Sequence, residues 1–161
     1  MRSLIFSGLL AALLAGMQAC TEGSAGADQG AEGLSPVVAT TGIVADALRA
    51  LLPARQPVLA LMGPGTDPHL YKATAGDLAR LRDARMVVLS GLQLEGKMAG
   101  VLARLASQKP VLSLADSLPA ARLRRAQGAA DPHIWFDVAL WRQAVVGAVP
   151  ALARALPGQA D

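Results

Sequence analysis

The feature that most constrains the fold is an alternation of short, continuously apolar runs with segments whose apolar residues recur at helical spacing. The apolar runs span residues 37–40, 58–62, 86–89 and 111–114. Strands that are apolar throughout are typical of a parallel sheet covered on both faces. We therefore predict an α/β fold, a single open lobe with a four-stranded, mostly parallel sheet flanked by helices.

Several residues mark where the predicted helices begin and end. Thr74 and Asp77 form an approximate capping box for the second helix. Glu95 is expected to serve the amino terminus of the third helix, whose apolar face includes Leu94. Asp137 is expected to cap the last helix, and Pro150 to kink or split it. The apolar face predicted for that helix comprises Val138, Trp141, Val145, Val149 and Leu152.

The amino-terminal region follows a different pattern. Arg2 precedes an apolar run at 4–16, which is short for a membrane span and typical of a secretory signal peptide. The tetrapeptide Met-Gln-Ala-Cys that ends at Cys20 resembles a bacterial lipoprotein cleavage box. We therefore predict a signal peptide at 1–19 and lipid attachment at Cys20. The alternative is ordinary cleavage, for instance after Ala27, which would release a soluble periplasmic protein.

A tether and one folded domain are predicted to follow. Residues 20–35 are rich in Gly, Ala and Ser without periodicity, as flexible tethers are, and 36–161 form the domain. Cys20 is the only cysteine, so a disulfide within the chain is excluded. The formal net charge is +3, and the only local basic cluster, at 122–125, has no interleaved aromatic residues. Nucleic-acid binding is therefore not expected.

Both histidines of the chain lie in the same tripeptide, Asp-Pro-His, at His69 and again at His133. Ligand sites in open α/β sheets form beyond the carboxyl ends of strands, and His69 follows the second predicted strand. Asp67 and Asp131 could each accept a hydrogen bond from the ring nitrogen not used for binding. Imidazole suits Zn²⁺ and tolerates Mn²⁺. From the spacing alone, a shared metal site and an ordinary packing role both remain open.

Four ordered segments of the chain are similar to the motifs of one protein family. They are residues 39–46, 63–71, 91–98 and 131–138, and the second and fourth contain the two histidines. Together they resemble the metal-specific solute-binding lipoproteins of the TroA type. The resemblance implies two α/β lobes joined by a long helix, with one metal ion between them. The chain corresponds to the N-terminal lobe of that plan, with the second lobe absent.

By motif, the resemblance implies metal ligands at His69 and His133, with a third ligand and a carboxylate supplied by the second lobe. Asp67, Asp131 and Tyr71 are the candidates for supporting these two histidines. Two imidazoles leave a tetrahedral ion half coordinated, so this lobe is expected to bind Zn²⁺ weakly. Zinc and manganese both stay open, because no histidine-rich loop precedes the second Asp-Pro-His.

The implied function is that of the periplasmic substrate-binding component of a divalent-metal ABC import system. It carries Zn²⁺ or Mn²⁺ as transported ligand to a permease and its ATPase, and it is not an enzyme. A monomer is expected, held at the membrane by the lipid on Cys20. A zinc hydrolase using His69 and His133 is one alternative, although no general base is evident near either. An adhesin-like surface lipoprotein and a truncated, non-functional fragment are the others.

Overall fold

A parallel sheet lies at the centre of the residues that the computed structural model describes, which are 33–126 and 128–158. Its strands are β1 (Val37–Ala39), β2 (Val58–Ala60), β3 (Met86–Leu89) and β4 (Val111–Ser113). The strand order is β2-β1-β3-β4, and all three pairings are parallel. The predicted four-stranded α/β lobe is confirmed.

Two pairs of helices cover the sheet. The helices are α1 (Gly42–Leu51), α2 (Ala75–Asp83), α3 (Ala99–Ala106) and α4 (Val138–Ala155). Helices α1 and α4 pack on one face of the sheet, and α2 and α3 pack on the other. Because successive strand residues point to opposite faces, Val37 and Ala39 enter the first core while Val38 enters the second.

Shorter elements connect these layers. Single 3₁₀ turns lie at Gly96–Met98, Leu114–Ser117, Ala120–Arg122 and Ile134–Phe136, and a hairpin joins β5 (Arg125–Ala126) to β6 (Ala129–Ala130). No helix in the described ranges is long and apolar enough to cross a membrane. The predicted signal peptide and Cys20 lie outside the described residues, and the division into leader, tether and domain stays a prediction.

The last helix differs from its predicted form. Helix α4 runs through Pro150 without a break, so Pro150 does not split it, and the alternative that Pro150 kinks it stays a prediction. Proline removes the N–H that would bond to the carbonyl of Val146, and Val146 is 54% exposed, so water can reach this side of the helix. The predicted apolar face is correct only in part: Leu152 is buried and Trp141 and Val145 pack against the core, but Val138 is 77% exposed and Val149 is 40% exposed. The buried stripe is Leu140, Ala144, Ala148 and Leu152.

Close packing explains why α4 has small residues where it meets the turn at Leu114–Ser117. A Cβ at Gly147 would lie 2.6 Å from the Cβ of Ser117, so glycine is needed where the helix meets the turn at Leu114–Ser117. The Ser117 hydroxyl also donates to the carbonyl of Ala144 at 3.1 Å. The helix therefore approaches the turn more closely than a face of large side chains would allow.

The third helix begins later than predicted, because a left-handed turn precedes it. The φ angles are 96° at Gly91, 53° at Leu92 and 66° at Gln93. A Cβ at Gly91 would lie 2.2 Å from the Ser113 hydroxyl, so this position requires glycine on two counts. Leu94 therefore precedes the helix, in the loop between β3 and the 3₁₀ turn Gly96–Met98, and does not lie on the helical face for which it was predicted.

The amino terminus of α2 has the predicted capping box. The N–H of Asp77 donates to the Thr74 hydroxyl at 3.2 Å, and the N–H of Thr74 donates to the Asp77 carboxylate at 2.9 Å. The Tyr71 hydroxyl donates to the same carboxylate oxygen at 2.6 Å. Burial opposes ionisation of Asp77, but the hydrogen bonds from Thr74 and Tyr71 outweigh it and lower the pKa of Asp77.

The same contact predicts an unusual titration of Tyr71. The pKa of Tyr71 is raised from 10.0 to about 12. Burial is the largest cause, and the hydrogen bond to Asp77 is the next largest. Tyr71 is the only tyrosine, so phenolate absorbance reports it alone. We expect a midpoint near pH 12 in the folded chain and near 10.0 after unfolding in urea. Because the folded pKa is the higher one, the stabilisation from neutral Tyr71 is present below pH 10 and is lost towards pH 12.

A pair of variants separates the contribution of Asp77 from that of burial. Asp77→Asn should lower the Tyr71 midpoint without returning it to the unfolded value, because burial persists. Asp83→Asn is the matched control, since the Asp83 side chain is 66% exposed and pairs with Arg82. Circular dichroism at each pH verifies that the chain is folded. A midpoint near 10.0 in the folded chain would contradict the prediction.

Candidate metal centre

The two histidines meet although their loops are distant in sequence. His69 lies in the loop after the carboxyl end of β2, and His133 directly precedes the turn Ile134–Phe136 that leads into α4. Their Nε2 atoms are 3.2 Å apart, and their ring centroids are 5.2 Å apart. Two nitrogens bound to one tetrahedral Zn²⁺ at about 2.0–2.1 Å would be about 3.3–3.4 Å apart. The two rings therefore have the spacing of two ligands of one ion.

Asp131 fixes the orientation of His133. One carboxylate oxygen of Asp131 accepts the backbone N–H of His133 at 3.0 Å and lies 2.7 Å from the ring Nδ1. Because a carboxylate only accepts, the Nδ1 carries the proton and the lone pair is left on Nε2. The hydrogen bond from the backbone N–H of His133 is the largest cause that lowers the pKa of Asp131, and the hydrogen bond from the His133 ring is the next largest. His133 is thus held as a ready electron-pair donor.

Asp67 makes a different contact in the equivalent tripeptide. Its carboxylate accepts the backbone N–H of His69 at 2.9 Å, and within the described residues no hydrogen bond joins it to the ring. Asp67 therefore shapes the turn and leaves the imidazole of His69 able to change tautomer. Nε2 of His69 lies 3.2 Å from Nε2 of His133, and the donor and acceptor of this contact depend on the tautomer of His69. With its proton on Nδ1, His69 would offer an Nε2 lone pair to an ion beside that of His133.

Tyr71 and the two tryptophans have separate positions. Tyr71 lies two residues after His69, and its hydroxyl is bonded to Asp77, which anchors the His69 loop to α2. The ring of Trp135 meets His133 edge-on, with centroids 5.3 Å apart, and lines an adjoining cavity of about 240 Å³. Trp141 instead packs against the core between the sheet, α1 and α4.

Glu95 has a role that sequence reasoning missed. Its side chain does not cap a helix, so the prediction that it serves a helix terminus is wrong. Glu95 is 2% exposed, and its carboxylate accepts the Thr40 hydroxyl at 2.7 Å and the N–H of Ser90 at 2.9 Å. Glu95 thus connects Thr40, which follows β1, to Ser90, which follows β3. Its neighbour Leu94 lines the cavity. The sequence offered one signal for a buried carboxylate: Glu95 lies between Leu94 and Met98, two apolar residues predicted to be buried.

The histidine pair supplies only part of a coordination sphere. In the portion of the chain that the structure describes, no group of three or more His, Cys, Asp and Glu residues is arranged to hold a metal ion. A tetrahedral Zn²⁺ bound here would therefore have two positions open to donors from elsewhere.

Comparison with known proteins identifies the family. Residues 37–161 match the family described as zinc-uptake complex component A, periplasmic. The zinc-binding protein TroA of Treponema pallidum is 40% identical over 133 residues, which are 82% of this chain and 43% of that protein. The manganese-binding lipoprotein MntA of Bacillus subtilis is 41% identical over 157 residues, 96% of this chain and 51% of that protein. The chain spans about half the length of these relatives.

Solved structures show the same architecture. The periplasmic zinc-binding protein TroA from Treponema pallidum superposes with a TM-score of 0.74 at 38% identity, over 78% of this chain and 46% of that chain. Fe(III)-bound YtgA from Chlamydia trachomatis gives a TM-score of 0.67 at 27% identity, over 76% and 44%. The resemblance to TroA-type proteins is thus confirmed, and the chain belongs to the ZnuA family of periplasmic zinc-uptake components.

Proposed function

We propose that the chain forms the N-terminal lobe of the substrate-binding component of a divalent-metal ABC import system. It captures Zn²⁺ or Mn²⁺ and delivers the ion to a permease and its ATPase. The observation that carries this proposal is the 3.2 Å separation of the Nε2 atoms of His69 and His133. Membership of the ZnuA family, with relatives named for binding zinc and manganese, supports it.

In this proposal, His69 and His133 donate lone pairs to the ion and Asp131 keeps His133 in the binding tautomer. Asp67 and Tyr71 hold the loop that carries His69, through its backbone and through α2 respectively. The ion is cargo, so its affinity has to permit release. Protons compete with the ion for both imidazoles, so binding weakens in acid.

A carrier accounts for these contacts better than a hydrolase does. A catalytic zinc site has three protein ligands and an open position for water. In the described residues, the histidine pair has no third protein donor arranged with it. Glu95 is a buried acid that follows Leu94, a residue of the cavity wall. Its carboxylate already accepts hydrogen bonds from Thr40, Ser90 and Gly91 and so is not available as a general base.

Periplasmic anchoring through Cys20 is part of the same proposal. It is supported by the leader pattern in the sequence and by relatives named as lipoproteins, among them MntA of Bacillus subtilis and FimA of Streptococcus parasanguinis. A lipid at the start of residues 20–35 would keep the lobe close to the membrane that carries the permease.

Zn²⁺ titration of the full chain at submicromolar concentration tests metal binding, with the fluorescence of Trp135 beside His133 as readout. We expect a Kd above about 1 µM for the single chain, because two imidazoles satisfy half of a tetrahedral ion. His69→Ala and His133→Ala should each abolish the response, whereas Gln108→Ala, an exposed control, should preserve it. Submicromolar affinity of the single chain, or a response in the double alanine variant, would contradict this prediction.

The different contacts of the two aspartates predict different effects of their removal. Asp131→Asn replaces the charged acceptor of the His133 ring proton and should weaken Zn²⁺ binding about 10–100-fold. Asp67→Asn keeps an acceptor for the backbone N–H of His69 and should weaken binding less than about threefold. The same fluorescence titration measures both, and circular dichroism checks the fold. Equal losses for the two variants would refute the assignment of separate roles.

A further inference from the structure

An open groove of about 500 Å³ lies beside α4, where the helix meets the turn Leu114–Ser117. Two arginines, Arg122 and Arg142, line it. The α4 residues that line it, among them Arg142 and Val146, lie on the side of the helix opposite to its buried stripe. Among the described residues that form the lining, none is acidic. The groove therefore concentrates positive charge on the outer side of α4.

Both guanidinium groups of the groove are free to meet an anion. Arg122 and Arg142 are exposed. In the described ranges, neither of them forms a salt bridge, whereas three other arginines pair with aspartates. A guanidinium offers five N–H donors in a planar fork that matches the oxygens of a phosphate or a carboxylate. The groove thus presents two such forks without an acid of its own to occupy them.

The positive charge continues along the chain beside the groove. Arg125 follows Arg122 by three residues, so their Cα atoms are at most about 11 Å apart. The guanidinium of Arg125 donates to the carbonyl of Gly128 at 2.6 Å, which leaves its charge unneutralised. Residues 117–130 contain no acidic residue. Arg122, Arg125 and Arg142 together are called the basic patch below.

We propose that the basic patch holds this lobe against a membrane surface of anionic phospholipid, with a headgroup phosphate in the groove. A negatively charged membrane attracts clustered Arg and Lys side chains that no acid neutralises. Val146, which is 54% exposed and lines the groove, offers an apolar contact beside the two arginines. The predicted attachment through Cys20 would keep the lobe within reach of such a surface.

The basic patch uses residues other than those proposed for the metal. Trp135 and Phe136, which precede α4, have their rings beside His133, whereas the groove begins within the helix. At its other end the chain leaves α4 towards α1, where the carbonyl of Gly158 accepts a hydrogen bond from Arg55 at 2.9 Å. Membrane binding through the patch therefore needs no metal ion and goes beyond the proposed function.

Flotation of the full chain with lipid vesicles, in the presence of a chelator, tests the inference. We expect stronger binding to vesicles of phosphatidylcholine mixed with phosphatidylglycerol than to vesicles of phosphatidylcholine alone. The difference should disappear at high salt, because salt screens exposed charges. The apolar run at 4–16 meets both kinds of vesicle, so the difference between them reports the charge. Equal binding to both kinds would overturn the inference and leave the proposed function standing.

Two double variants locate the charges that act. Arg122→Gln with Arg142→Gln should weaken binding to the anionic vesicles about 25-fold, which is about fivefold for each arginine. Arg82→Gln with Arg104→Gln is the matched control, because it removes the same charge from α2 and α3 on the other face of the sheet. It should leave binding nearly unchanged, since charges more than about 10 Å from the membrane are screened. Circular dichroism verifies the fold of both.

Two outcomes of this comparison would contradict the proposed surface. Equal losses in the two double variants would show that net charge acts and that the basic patch does not. Binding of the chain to soluble polyglutamate through Arg122 and Arg142, without binding to the anionic vesicles, would assign the groove to an acidic protein and overturn the assignment to lipid.

Discussion

The buried carboxylate of Glu95 is the contact on which the edge of the sheet depends. Parallel pairing brings the residues after β1, β2 and β3 to one edge, and Glu95 joins the first and third of these through Thr40 and Ser90. The carbonyl of Thr40 in turn accepts the N–H of Met62, where the loop to His69 begins. Removing a donor would leave a buried charge poorly satisfied, at a cost of about 1–3 kcal/mol or more. The loops at this edge are therefore held by a polar contact, and the apolar core alone does not fix them.

The two histidines lie at this edge, and hydrogen bonds restrict the ring of His133 more than the ring of His69. Asp131 bonds both the backbone and the ring of His133, whereas Asp67 bonds only the backbone of His69. One imidazole is thus fixed in its tautomer before metal arrives, and the other adjusts. A site with both rings free would lose more conformational entropy on binding, and a site with both rings fixed in the binding tautomer would place two lone pairs 3.2 Å apart. The observed pair avoids both costs.

Those parts of the fold that follow from local chemistry could be predicted from the sequence. The strands appear as continuous apolar runs, and the capping box at Thr74 and Asp77 appears as a spacing of three residues. The left-handed turn before α3 could not be predicted, because Leu92 and Gln93 adopt a backbone conformation that neither favours by itself. The N–H of Ser90 donates to the Glu95 carboxylate across this turn. The buried stripe of α4 was predicted only in part, because the close approach of the helix to Ser117 at Gly147 is a property of the tertiary structure.

For the site, the repeated Asp-Pro-His identifies both residues, but their separation is a property of the tertiary structure. The sequence also gives no reason for Asp131 to reach a ring when Asp67 does not, since the two tripeptides are identical. Their surroundings differ: the turn Ile134–Phe136 follows His133 at once, whereas His69 leads into a loop anchored through Tyr71 to α2. Identical local motifs therefore acquire different hydrogen bonds from the elements that follow them.

A half-complete coordination sphere suits a protein that must release what it binds. If His69 and His133 were joined by two more donors on the same rigid lobe, the ion could leave only by breaking a preformed site. With the remaining donors on another surface, affinity depends on whether that surface is in contact, and separating the two surfaces lowers it at once. In the proposed carrier, capture and release are thus governed by the approach of two surfaces, while the imidazoles themselves need not move.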